Sequence, residues 1–394
     1  MNIVILTREY KHQNLPNVGG TGSFYATFAQ KLLVEGHNVF VFGVNKTDIS
    51  FDDNGVKVVF KKSIFKRNKL LNLLRSITKK TPFLYKLHFK IHEFEKKDIS
   101  KMLYRCIENN NLKIDVIETH DFEGISLKLN NSIPYVIRCH GSYSVLEKYF
   151  GYKNIEIGKK HCEHEAFKIA KNVICVSQFS VFANQTVFNI KNTKLIYNGI
   201  NTDLFSPNNT TKQIEKSLFF IGNVAIEKGI DVVFETFKNI QKLHSDATLH
   251  IIGRCKNFDG LLADYDITNL KNKIFYYGYL GQKDAIAKLG TANVVVFPSK
   301  GENFGLALFE SMAIEKLVIG SNIDAFKEII VDGQNGFIAN SSKDYASIIN
   351  SIFYNPIEFE IIKKNARQTI VEQLSLQKMY VETVKYYNQM ILEQ

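Results

Sequence analysis

One stretch of this chain carries the residue types for anion and polyol chemistry at close spacing: Phe297-Pro-Ser-Lys-Gly-Glu-Asn-Phe-Gly-Leu-Ala-Leu-Phe-Glu310. An apolar strand ends at Pro298, a short loop carries Glu302, and the pattern predicts a helix beginning near Phe304. The backbone N–H groups and positive dipole end of such a helix suit a phosphate. Glu302 precedes the helix and Glu310 lies about one and a half turns inside it, so the two carboxylates can flank an anion at the helix start. Carboxylates accept paired hydroxyl hydrogens, which is what polyol recognition needs. The backbone of Asn303, Phe304, Gly305 and Leu306 lies between them.

Other groups are weaker alone. Gly19 and Gly20 precede a predicted helix, where a backbone without Cβ atoms can approach a diphosphate or an acceptor. His140 follows the strand tip at Arg138, and Lys228 lies in a glycine-flanked loop with Asn223. His161 and His164 share one helical face at i, i+3, but a lone pair without further ligands does not make a metal site. No metal is expected, and no Ser-His-Asp arrangement or P-loop is present.

Positioning these residues requires strand ends. Short β-branched runs alternate with helical patterns: Ile3 to Leu6, Ser23 to Glu35, Asn38 to Phe42, then strands near residues 115–118, 135–138 and 173–176. That is the rhythm of βαβ units on a parallel sheet. It pauses at Asn198 to Glu215, read as a linker, and resumes with Leu218 to Ile221, Thr248 to Ile252, Ile274 to Tyr277, Val294 to Phe297 and Leu317 to Ile319. Three helices follow residue 340. The expectation is an α/β chain of two doubly wound, Rossmann-like domains facing across a cleft, with ligands at the carboxyl ends of the strands.

The 394 residues are 45% hydrophobic and 23% charged, enough for two cores and incompatible with disorder. No apolar run spans a bilayer. The start, Met1 to Leu6, runs into Arg8 and Glu9 too soon for a signal peptide, so a cytoplasmic location is expected. Five scattered cysteines without a CxxC pair suit reduced thiols. The net charge of +11 is uneven: residues 1–200 hold 30 Lys and Arg against 17 Asp and Glu, while the remainder is slightly acidic. Between Asp53 and Glu93 there are eleven Lys and Arg and no acid, among them Lys61, Lys62, Lys66 and Arg67, interleaved with Leu70, Leu71, Leu73, Leu74 and Ile77. Such a basic amphipathic stretch suits an anionic membrane surface or else packs its leucines inward. No nucleic-acid motif accompanies the charge.

Glu302 to Ala313, followed by Leu317-Val-Ile-Gly-Ser321 and Val331-Asp-Gly-Gln-Asn-Gly-Phe337, resembles the E-x7-E region of GT-B-fold retaining glycosyltransferases of family 4, glycosyl transferase group 1. Gly19-Gly20 with Gly36-His37-Asn38-Val39 resembles that family's glycine loop and GH-x-V string, and Asn198 to Phe205 its interdomain N-G-V-D-x-x-x-F. The resemblance covers nearly the whole chain. It implies an acceptor-binding domain at residues 1–203, a nucleotide-sugar domain at 204–375 and a helix at 376–394 returning to the first domain, with closure about the linker. It implies catalytic roles for His140 and Glu302. Donor contacts would come from Gly19, Gly20, Asn223, Lys228, Tyr279, Leu280, Glu302, Asn303, Phe304, Gly305, Leu306 and Glu310. Where the family has Arg in G-R-x-x-x-x-K-G, this chain has Asn223, which cannot offset phosphate charge; Arg254 is a candidate substitute.

The implied partners are a UDP- or GDP-linked sugar as co-substrate without a further cofactor, a glycan acceptor expected to be lipid-linked, and an anionic membrane surface met by Lys61, Lys62, Lys66 and Arg67. The implied location is cytoplasmic, peripheral on the inner membrane face. The alternative, prompted by Asn223, is a non-catalytic companion that binds a sugar nucleotide.

Overall fold

A computed structural model describes residues 1–16, 18–208 and 210–393. The chain forms two units: Met1–Tyr197 together with the chain from Met379 onward, and Asn198–Lys378.

In the first unit, β1 (Asn2–Thr7) leads through α1 (Gly20–Val34) to β2 (Asn38–Asn45), β3 (Ile49–Asp53) and β4 (Val56–Lys62). Helices α2 (Ile64–Arg67), α3 (Lys69–Lys79) and α4 (Tyr85–Asn109) follow, then β5 (Val116–His120), β6 (Tyr135–Cys139), α5 (Tyr143–Phe150), α6 (Ile157–Ile169), β7 (Asn172–Cys175), α7 (Gln178–Phe188) and β8 (Lys194–Leu195). The sheet order is β3-β4-β2-β1-β5-β6-β7-β8, parallel except for β3 against β4. Parallel strands are covered on both faces and read as continuous apolar runs, as Ile3 to Leu6 do, all fully buried.

The second unit runs β9 (Ser217–Ile221), α8 (Ile230–Leu243), β10 (Thr248–Ile252), α9 (Phe258–Asp264), β11 (Ile274–Tyr276), α10 (Gln282–Gly290), β12 (Val294–Phe297), α11 (Leu306–Ala313), β13 (Leu317–Ser321), α12 (Asp324–Lys327), β14 (Phe337–Ala339), α13 (Ser342–Tyr354) and α14 (Glu360–Gln373). Its sheet, β11-β10-β9-β12-β13-β14, is parallel throughout. The last helix, α15 (Leu376–Leu392), belongs to the first unit from Met379. There Tyr387 donates to the Glu118 carboxylate and Arg138, bidentate to Glu118, reaches Thr383 at 3.1 Å.

The strand order reverses between β1 and β5 in the first sheet and between β9 and β12 in the second. Loops leaving the carboxyl ends at such switch points are where open α/β sheets hold ligands.

Three expectations change. Val56–Lys62 is a strand paired to β2 and β3, so Lys61 and Lys62 stand at its end rather than on an amphipathic helix. The helix expected near Phe304 begins at Leu306, because Gly305 takes a left-handed φ of 97° as its N-cap. The supposed linker is fixed to the second unit: Arg367 donates to the carbonyls of Thr202, Phe205 and Ala313, and Ile200 and Phe205 are buried. Among the described residues no helix is long and apolar enough to cross a membrane. All five cysteines are free thiols.

Candidate functional site

At the switch point of the second sheet, the loop after β9 meets the loop after β12. Ile226–Lys228 forms a 3-10 turn and Gly229, at φ 76°, starts α8. A Cβ on Gly229 would stand 2.0 Å from the Pro298 carbonyl oxygen, so only glycine lets the two loops touch here. The backbone seals the contact, Lys300 N–H donating to the Glu227 carbonyl at 3.0 Å. This close approach brings Lys228 Nζ to 2.5 Å from Glu302 Oε1, which also accepts from the Ser299 hydroxyl at 2.9 Å. Both side chains keep partial exposure.

Beyond Glu302 the chain enters α11. Gly305 is needed there too: its φ is positive and a Cβ would lie 2.4 Å from the Phe326 ring. No side chain caps α11 and no acid stands in its first turn. The Phe304 ring is buried 4.8 Å from Phe309, so its side chain packs inside rather than lining the loop. Glu310 sits on the next turn, half-buried.

Neighbouring loops are stitched to this one. A Cβ on Gly253 would stand 1.7 Å from the Gly222 carbonyl oxygen. Val224 N–H donates to the Arg254 carbonyl at 3.0 Å, and Gly253 N–H to Gly278 at 2.8 Å. Asn223, exposed, thus shares a rim with Arg254, whose guanidinium lies 4.4 Å from the centroid of the exposed Tyr279 ring; Leu280 follows. A loop cation therefore accompanies the neutral Asn223.

In the first unit, His140 follows β6. Its N–H and that of Gly141 each donate at 3.0 Å to the Asp121 carboxylate, whose burial raises it to about 7. The His140 ring packs 4.4 Å from Phe24 and 5.4 Å from Tyr25. Burial, with Arg138 and His120 nearby, holds it well below the usual histidine range, so the ring is neutral at neutral pH. Gly19 is the N-cap of α1 and Gly20 its first residue. Space around Gly20 is open, but the Glu9 carboxylate accepts from the backbone of Gly19 and Gly22. An anion at that helix start is thus supplied by the chain itself. Sequence reasoning missed Glu9, and also Arg8, which follows β1 and pairs with Glu95 at 2.8 Å and Glu123 at 3.0 Å. The available signal was their place directly after a central strand.

The basic residues divide. Lys62 N–H donates to Asp48 and Arg67 pairs with Asp98, while Lys61 and Lys66 are exposed. Beside them α3 presents Leu70, Leu73, Leu74 and Ile77, an i, i+3, i+4, i+7 stripe exposed by 67, 56, 39 and 49%, with Phe83 at 84%. His161 and His164 do not converge: the first bonds Glu93 at 3.0 Å, and the second packs on Phe188.

Comparison with known proteins agrees with this layout. Residues 202–369 match the model of glycosyl transferases group 1, and residues 18–204 that of Glycosyltransferase Family 4. The chain is 28% identical to an uncharacterised glycosyltransferase of Methanocaldococcus jannaschii, over 98% of both chains. It is 26% identical to the capsular polysaccharide biosynthesis glycosyltransferase CapM of Staphylococcus aureus, over 44% of this chain and 46% of CapM. Among solved structures, Anabaena HepE in complex with UDP and glucose superposes with a TM-score of 0.69 at 16% identity, covering 98% of this chain and 99% of HepE.

Proposed function

Since this chain is a GT-B-fold glycosyltransferase of group 1, family 4, we propose that it moves a sugar, with retention, from a nucleotide diphosphate to a hydroxyl of a lipid-linked surface glycan. The observation that carries the donor half is the Lys228–Glu302 pair at the switch point of the second sheet, made possible by Gly229 against Pro298. Lys228, with Asn223 and Arg254, takes the diphosphate; Glu302 and the backbone of Asn303 to Leu306 take the sugar and phosphates. Glu310 takes the ribose, and the Tyr279-Leu280 loop the base. The HepE complex, which holds UDP and glucose, supports a nucleotide-sugar partner. The name of CapM supports a surface polysaccharide as product.

The first unit receives the acceptor, with neutral His140 as a hydrogen-bonding group and the Gly19-Gly20 loop as a second polar element. In a front-face substitution the bond from the anomeric carbon to the phosphate oxygen breaks, and the acceptor oxygen bonds to that carbon on the same face. The acceptor proton passes to the departing phosphate. No further cofactor enters these steps. The α3 stripe and its flanking lysines support work at the inner face of an anionic membrane.

Slow hydrolysis of UDP-, GDP- and TDP-sugars by the purified chain tests the reading. One base should support turnover, and Glu302→Ala should lower it by about 100-fold or more. Binding without turnover, unchanged in Glu302→Ala, would replace the enzyme with the sugar-nucleotide-binding companion suggested by Asn223.

A further inference from the structure

In the first unit, far along the chain from the donor residues, α4 and the start of α6 bring together His88, His92 and Glu156. The histidines are four residues apart on one face of α4, with side chains 0 and 1% exposed; Glu156 is the N-cap of α6. His92 Nε2 lies 3.0 Å and His88 Nε2 3.5 Å from Glu156 Oε1, and the three ligand atoms all fall within 4.8 Å of one another. A tetrahedral zinc ion, with bonds of about 2.0–2.1 Å, holds its ligand atoms about 3.3 Å apart. Gly158 leaves the room: a Cβ there would stand 2.2 Å from His92 Cδ2 and 2.9 Å from His88 Cδ2.

The hydrogen bonds define where the lone pairs point. Thr78, on α3, donates its hydroxyl proton to the Leu74 carbonyl at 2.8 Å, so its oxygen accepts from His88 Nδ1 at 2.9 Å. The Nε2 of a neutral His88 is then a bare lone pair, buried, without a hydrogen-bond partner, and aimed at a carboxylate oxygen. Two facing lone pairs repel, and a cation between them satisfies both. His92 Nδ1 is likewise without a partner and lies 4.0 Å from Glu95 Oε2. That is where its proton belongs once Nε2 is a ligand, giving the carboxylate–histidine–metal order that orients such ligands. Arg75 reaches both Glu156 oxygens at 3.4 Å, too far to saturate them.

We propose that His88 Nε2, His92 Nε2 and Glu156 bind one divalent first-row transition metal of the zinc type, with water as fourth ligand, as a structural clasp. Two nitrogens and one oxygen suit Zn(II), and Co(II) serves as its spectroscopic stand-in. Through Thr78 the clasp fixes α3, the helix with the exposed apolar stripe, to α4 and α6. It is independent of the donor chemistry.

The test uses the full chain, stripped with a chelator and titrated with ZnCl2 by calorimetry and with CoCl2 by absorption. One equivalent should bind, Co(II) should show the visible bands of a four-coordinate nitrogen–oxygen site, and Zn(II) should raise the melting temperature. Glu156→Gln and His92→Gln should each weaken Zn(II) at least tenfold while His161→Gln leaves it unchanged. Absence of stoichiometric binding by the unaltered chain overturns the proposal, whatever the variants do. So does equal affinity in Glu156→Gln or His92→Gln at unchanged circular dichroism, or loss in His161→Gln alone.

Discussion

Lys228 Nζ and Glu302 Oε1 stand 2.5 Å apart, although 74 residues separate them, and they meet because their loops leave adjacent parallel strands. The cation proposed for the diphosphate and the carboxylate proposed for the sugar thus hold each other in place before any donor arrives. Partly exposed pairs contribute about 0–1 kcal/mol to stability, so conservation of the fold is not their main effect. Lys228→Met should leave the melting temperature within a few degrees and lower donor turnover by about 100-fold. Because the side chains touch, Lys228→Met with Glu302→Gln should cost less than the product of the single effects. Full multiplicativity of the two in donor turnover would mean that they act separately.

Gly229 makes that meeting possible, and alanine scanning of glycines can isolate its role. Gly229→Ala combines a left-handed φ with a Cβ 2.0 Å from backbone that cannot yield. It should destabilise the second unit by about 2–4 kcal/mol and weaken donor binding. Gly278→Ala shares the positive φ, 65°, but has nothing within 4 Å of the new Cβ; it should cost only about 1 kcal/mol. Denaturant midpoints of the two variants, read with a probe of the second unit, decide it. Equal losses would put the whole effect in φ.

Much of this arrangement was legible in the residues, and the parts that were not share a cause. Buried parallel strands announce themselves as unbroken apolar runs, and Val294 to Phe297 followed by Glu302 and Glu310 marks a strand, loop and helix. Strand β4 was hidden because Lys57, Lys61 and Lys62 give Val56–Lys62 the appearance of a basic segment; its pairing with β2 is a long-range fact. The spacing of His88 and His92 was visible, whereas Glu156, 64 residues beyond His92, joins them only through the packing of α6 on α4. The pressure of Pro298 on Gly229 is equally non-local.

Acid sensitivity should trace in part to His120. It ends β5, accepts from the Arg8 N–H at 3.0 Å, and is held down to about 3 by burial, with Arg8 and Lys96 adding to the effect. The unfolded chain takes up that proton near 6.5, so stability is lost as pH falls from about 6.5 toward 3, amounting to about 3 kcal/mol by pH 4. Asp121, raised to about 7, acts with the opposite sign: its contribution is lost as pH rises from 3.8 toward 7. His120→Gln keeps an acceptor for Arg8 and removes only the first effect. Melting temperature against pH should therefore fall less steeply below 6.5 in the variant than in the unaltered chain; parallel curves would clear His120.

Arg138 and Glu118 are fully buried and bidentate at 2.8 and 2.9 Å, with Tyr387 of α15 donating to the same carboxylate. Tyr387→Phe removes one donor to a buried charge and should cost about 1–3 kcal/mol. Glu118→Gln leaves Arg138 without its counter-charge and should cost about 3–5 kcal/mol. If α15 is secured mainly by this network, hydrogen exchange along Thr383 to Met390 should accelerate in both variants, more in Glu118→Gln. Unchanged exchange would assign the docking of α15 to apolar packing of Met379, Tyr380 and Met390.

The fold also redirects the membrane prediction. Replacing Lys61, Lys62, Lys66 and Arg67 with Ser, the choice suggested by charge alone, strikes two residues at the end of a strand and one, Arg67, already paired with Asp98. The stripe on α3 is the better target, since an apolar face without an internal partner supplies insertion energy while cations near an anionic surface add about 1 kcal/mol each. Leu73→Asp with Ile77→Asp removes two exposed apolar side chains and puts two carboxylates in their place. Sedimentation with phosphatidylglycerol vesicles should show at least a tenfold loss for this pair, and a smaller, salt-sensitive loss for the four serine replacements. Donor hydrolysis should be unchanged in both. A larger loss from the serine set than from the aspartate pair would make the attachment purely electrostatic, and retention of vesicle binding in both would leave α3 a solvated surface.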